Sequence, residues 1–232
     1  SVSSRRQAID HPQLLQESPK YSINADVGVT VIDNAADRLG RRSLVVRFLD
    51  VHDASFVMLG KEVFPSVDAA REVLTDSGVL VELGSDGAFS SVAFEAGAPN
   101  VVEALLGLLL EELEVVVPAD GASSWSYAQN THQGVASVVY TRFDAGSLRR
   151  RVDSYRELAV GQLLRDHVSQ TDGLTWVSLD VDGLITKISG TSSLRVTGPD
   201  AEELVRTDGE ANIELLGAAT PGVVAIGRGL GA

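Results

Sequence analysis

The stretch Asn100–Leu113, NVVEALLGLLLEEL, constrains this chain more than any other. Pro99 precedes it, and Asn100 has the side chain of a helix cap. On a helix, Glu103, Gly107, Glu111 and Glu114 fall on one narrow stripe at i,i+4 and i,i+3 spacing. Apart from Glu112, the rest of the cylinder from Val101 onward is apolar. Such a helix is covered on most sides or binds something greasy. Burying five of its leucines is worth on the order of 8–15 kcal/mol, an upper estimate. Val102, Leu105, Leu106, Leu109 and Leu110 are therefore the candidate ligand-binding residues, and plugging a sheet is their structural alternative.

The segments around this helix read as strands. Val27, Val29 and Val31 alternate within Tyr21–Ile32, and Arg42–Leu59 is rich in β-branched and aromatic residues. Pro65–Asp76 reads as a short helix. Gly78–Phe94 is the clearest hairpin, with Asp86–Gly87 as an I′-type turn. The step from Phe89 to Val92 breaks the period of two and predicts a bulge. Trp176–Ile188 predicts a second hairpin turning at Asp182–Gly183. Ser123–Arg142 predicts a third: Trp125 and Tyr127 alternate, Gln133–Gly134 turns, and Val135, Ser137 and Val139 return. Val115–Val117, Leu194–Thr197, Asn212–Leu216 and Val223–Ile226 are further strand candidates, and Glu202–Leu204 a helical turn.

These elements predict a β-rich α+β fold, an antiparallel or barrel-like sheet wrapping one apolar central helix. The expected organisation is a flexible leader over 1–20, one β-rich domain over 21–226 and a flexible tail over 227–232. The chain's 232 residues are ample for a core. No apolar run reaches the roughly 18 residues that span a bilayer, so no direct membrane span is expected.

Charge and composition exclude several kinds of chemistry. The net charge of −13 argues against sequence-independent binding to nucleic acid or to anionic membranes. With no cysteine there is no disulfide, thiol catalysis or thiolate metal site. No two of the four histidines stand at i,i+4, and no metal or other cofactor is expected. Asp180, Asp182 and Gly183 open like a calcium loop, but Leu184 and Thr191 occupy ligand positions, so a hairpin turn explains them. Phosphate-binding glycine motifs are absent. Serines can be grouped with His52 or His132 into a triad on paper, but no nucleophile elbow occurs. No enzyme is expected and no catalytic residue is assigned. Arg149–Arg151, with Arg142, Arg156 and Arg165 nearby, suits an anionic partner. Interleaved Asp144, Asp153 and Glu157 favour a solvated face instead.

A longer pattern runs from Val79 to Tyr140: a hairpin (VELGSDGAFSSVAF), the apolar helix, a short VVVP segment, then SSWSYAQNTHQGVASVVY. In order and character it resembles the N-terminal β-sheet, barrel-like module of the vitellogenin family of large lipid transfer proteins. The resemblance implies that Val101–Leu113 is a central barrel helix and that Trp125 to Tyr140 is the strand pair after it. It also implies lipid handling outside the cytoplasm, with an apolar ligand or a partner protein bound near the helix and Trp125. Two features depart from that family: its animal members carry disulfides here, and 232 residues leave no room for its helical domain. The composition suits a bacterial version. A structural module that docks another chain is the alternative.

Overall fold

Alternating apolar and polar residues over most of the chain produce strands, and two stretches with helical spacing produce the helices. A computed structural model describes residues 2–7, 20–32, 42–58, 60–118, 121–159, 168–181, 185–200 and 203–214. In chain order the elements are β1 (Val2–Gln7), β2 (Lys20–Ile32), β3 (Arg42–Met58), β4 (Lys61–Glu62), α1 (Val67–Thr75), β5 (Gly78–Leu83), β6 (Phe89–Phe94) and α2 (Asn100–Leu113). They continue as β7 (Ser124–Thr131), β8 (Gly134–Asp144), β9 (Ser147–Leu158), β10 (Val168–Leu179), β11 (Ile185–Thr197) and β12 (Glu203–Glu214). The fold is β-rich, with antiparallel pairing and few helices.

The described residues group into two compact units where the sequence reads as one domain. One draws on Ser1–Ile23, Ser55–Phe64 and Gly121–Leu215, the other on Asn24–Ala54 and Pro65–Asp120. β2 and β3 each contribute residues to both. No linker or composition shift marks the division, which is why the sequence does not announce it.

The helix-bearing unit has the strand order β6-β5-β3-β2. β5 pairs antiparallel with β3 and with β6. Glu82 faces Ser91 and Leu83 faces Phe89, so Ser90 is an extra residue and the predicted bulge is present. The turn differs from the two-residue Asp-Gly form. Gly87 N–H donates to the Gly84 carbonyl at 3.1 Å and Gly84 N–H to Ala88 at 2.8 Å, which puts Ser85 and Asp86 at the centre. Gly87 follows at φ +87°, with the Val115 carbonyl 2.6 Å from where a Cβ would sit. Val115–Val117 is not a strand: it runs past this turn, and Val117 N–H donates to Asp86.

α1 begins where Ser66 accepts from the Ala69 N–H at 3.2 Å. α2 is capped by Pro99 without a side-chain bond, so Asn100 is the first helical residue rather than the cap. Beside α2, this unit buries Val45, Val46, Phe48 and Val51 of β3, Val79 and Val81 of β5, and Ala70 and Leu74 of α1.

The other unit is a meander with the order β2-β1-β12-β11-β10-β9-β8-β7. β1 pairs antiparallel with β12 and β2, so the expected leader contains a sheet strand; residues 8–19 lie outside the described residues. β10 and β11 pair from Val168–Thr197 to Leu179–Ile185, as the second predicted hairpin requires. Its Asp182–Gly183 turn lies outside the described residues, as do Val223–Ile226 and the tail. Leu194–Thr197 falls inside β11 and Asn212–Glu214 inside β12. Glu203 and Leu204 belong to β12, not to a helical turn.

In the third hairpin, Thr131 faces Gly134 across a turn at His132–Gln133, one residue earlier than predicted. Gly134 has φ +133°, and a Cβ there would collide with the Glu157 carbonyl of β9. The strands are two-faced. Tyr140, Leu148, Val177, Ile188 and Ala211 are buried on one side, while Trp176, Lys187 and Glu210 are exposed on the other. β6 and β7, the ends of the two strand orders, each have one strand neighbour, so among the described residues no barrel closes.

Candidate functional site

Five of the six residues proposed from sequence as a ligand site are interior. Val102 and Leu106 are 0% exposed, Leu105 and Leu109 5%, and Leu110 4%. They occupy one stripe at i, i+3, i+4, i+7 and i+8, the pattern of an amphipathic helix packed on a core. The opposite side has intermediate exposure at Glu103, Gly107 and Leu108, and Ala104 is exposed. α2 is therefore buried along one stripe rather than on most sides.

Trp125 belongs to the other unit. Its ring stacks on Tyr140 with centroids 5.3 Å apart and planes 6° from parallel. The Arg142 guanidinium sits 5.8 Å from the Trp125 ring, and its Nε is buried without a hydrogen-bond partner. Tyr140 is 0% exposed and Trp125 is half-buried, so this group belongs to the buried side of the sheet.

Two histidines, His52 and His132, fall among the described residues. His52 lies 3.2 Å from Asp26 and 3.8 Å from Asp50. Asp50 also accepts from Arg71 at 2.7 Å, and Arg71 continues to Asp68 at 2.7 Å and to the Val51 carbonyl at 2.9 Å. The chain of charges ties α1 to β3. Hydrogen bonding from Arg71, then from the Val51 N–H, holds the Asp50 carboxyl below its ordinary range. Among the described residues the polar partners of His52 are carboxylates, and no hydroxyl nucleophile is placed against it. His132 is exposed at its turn.

A different surface carries the most unusual chemistry. On the face opposite Tyr140, Phe143 is 55% and Trp176 42% exposed. Their rings touch, with centroids 5.1 Å apart at 47°, and the Arg149 guanidinium sits 5.3 Å from the Phe143 ring. Trp176 faces Arg149 across β9–β10. Lys187 lies on the same face one row along, opposite Ser178. Neither Arg149 nor Lys187 forms an ion pair among the described residues, although Glu214 of β12 stands directly across from Lys187. The arginine run splits three ways: Arg149 stays unpaired on the open face, Arg150 is buried, and Arg151 pairs with Asp153 at 3.1 Å.

Farther along the same strands is a trough of about 600 Å³, with Asp172, Asp208 and Glu210 on its walls and Gly173 and Gly209 leaving its floor low. Lys20 also lines it. Asp208 is paired with Arg206 at 3.0 Å. Asp172 caps the Gly173 N–H and Glu210 accepts from Asn212, but neither has a cation partner among the described residues.

Trp176 and Phe143 were missed as site residues because each reads from sequence as an ordinary strand residue. The available signal was parity: Trp176 is one place out of phase with the buried Thr175 and Val177. Comparison with protein-family models and with curated proteins finds no match.

Proposed function

We propose that this chain is a non-enzymatic docking module, in which α2 is a permanent plug held by the sheet and binding takes place on the open sheet face around Trp176. The observation that supports it is the burial of Val102, Leu105, Leu106, Leu109 and Leu110, at 0–5% exposure, which commits the main apolar stripe of α2 to the interior. The open face, by contrast, presents Trp176 and Arg149, residue types enriched in interface hot spots, beside Phe143 and Lys187. The occupant is another protein chain. Lipid extraction from the purified protein, together with titration by a fluorescent fatty acid, tests the reading. The docking module yields no stoichiometric lipid and no saturable uptake. A lipid recovered near one per chain overturns it.

A second reading is lipid handling outside the cytoplasm, as the resemblance to the large lipid transfer proteins implies. Exposed Phe143 and Trp176 favour it, since aromatic side chains also suit a lipid interface. The same extraction distinguishes the two.

A further inference from the structure

The aromatic–cationic patch and the acidic trough lie on one face of one unit. Trp176 and Asp172 are four residues apart on β10 and share a side, which separates the patches by roughly 13 Å. Arg149, Lys187, Phe143 and Trp176 supply one end with unpaired positive charge and raised rings. Asp172 and Glu210 supply the other with unpaired negative charge over a glycine floor. A two-fold axis between them, near the Leu174–Thr191 pair, brings each patch onto the opposite patch of an identical face. We propose that this face docks a second copy of the chain, with the Phe143–Trp176 pair entering the trough of the other copy and Arg149 and Lys187 meeting its Asp172 and Glu210.

The inference rests on the docking reading and names its occupant. Size is compatible. The patches span the five strands β8–β12 and the seven rows from Asp172 to Ser178; at about 4.8 Å per strand and about 3.3 Å per row this is roughly 550 Å² of projected face, against ~800 Å² per partner in a standard interface. The net charge of −13 on each copy opposes association at long range. Screening beyond roughly 8–10 Å leaves the contacting charges to decide. A strand face that alternates polar and aromatic residues also suits sheet-on-sheet packing.

A charge exchange read by sedimentation velocity tests it. The wild type forms a concentration-dependent dimer. Arg149→Glu with Lys187→Glu gives a monomer, and so does Asp172→Lys with Glu210→Lys. Mixed in equal amounts, the two variants form a dimer again, since both patch contacts become complementary. Phe143→Ala with Trp176→Ala, which changes no charge, weakens the dimer roughly tenfold or more. A wild type that stays monomeric at every concentration reached overturns the proposal. So does a dimer that survives both charge reversals, or a mixture of folded variants that stays monomeric. A monomer that sediments instead with phosphatidylglycerol vesicles assigns the face to a lipid surface and equally overturns self-docking. None of these outcomes alters the lipid content of the purified protein, so the docking reading is judged separately.

Discussion

The same sheet carries two aromatic–arginine groups on opposite faces. On the buried face, Trp125 and Tyr140 stack in near-parallel planes with the Arg142 guanidinium 5.8 Å from the Trp125 ring, and Tyr140 has no exposed surface. On the open face, Phe143, Trp176 and Arg149 meet at a tilt with about half of each ring in water. Their composition is nearly the same, and the difference is parity along β8–β10, which puts one group on the buried side and the other in water. Burial turns the first group into a structural closure. Exposure leaves the second with apolar area in water and a cation without an ion-pair partner among the described residues, so the second is the better binding candidate.

Substitutions at the two groups should separate them, beginning with the largest effect. Tyr140→Ala removes a fully buried ring and should lower unfolding stability by about 3–5 kcal/mol in urea titrations. Loss of less than about 1 kcal/mol would break the comparison. Trp125→Ala takes away the stack and the ring beneath Arg142, and about 1–2 kcal/mol should be lost. Phe143→Ala and Trp176→Ala should each stay within about 0.5 kcal/mol of wild type, because surface truncations cost little where no packing depends on them. A large loss at either would make the open group structural as well.

The smallest effect is a pH dependence in the turn that presents Phe143. Hydrogen bonds from the Ser147 hydroxyl, then from the Gly146 N–H, hold the Asp144 carboxyl below its ordinary value of 3.8. A depressed pKa contributes stability that is present above the unfolded value and is lost as pH falls through the folded one. Wild type should therefore lose urea resistance below about pH 4 faster than Asp144→Asn. Parallel pH profiles for the two proteins would remove Asp144 from the account.

Much of the fold was legible in short-range pattern. The Gly78–Phe94 hairpin with its bulge, both helices and the Trp125–Tyr140 strand pair all follow from alternation, spacing and turn residues close in sequence. β1 was hidden because a polar VSSRRQ strand is held by its neighbours on either side, β12 and β2, and not by its own apolar pattern. Val115–Val117 looked like a strand, yet it runs past the Gly87 turn, where the Val117 N–H donates to the Asp86 carbonyl and the Val115 carbonyl leaves no room for a Cβ on Gly87.

The candidate site was harder to read. Apolarity singled out α2, and the greasiest segment of a soluble chain is usually its interior. Which of two tryptophans faces water depends on the register of β10 against β9, and a single sequence does not encode that pairing locally.

The account turns on α2 being interior, and Leu106→Asp tests this most directly. Leu106 has no exposed surface, so a carboxylate there would be buried without a partner. Circular dichroism with urea unfolding should show the variant losing its cooperative transition. A variant that stays folded with a near wild-type midpoint, yet loses binding of an apolar ligand, would contradict the account and return the binding site to α2.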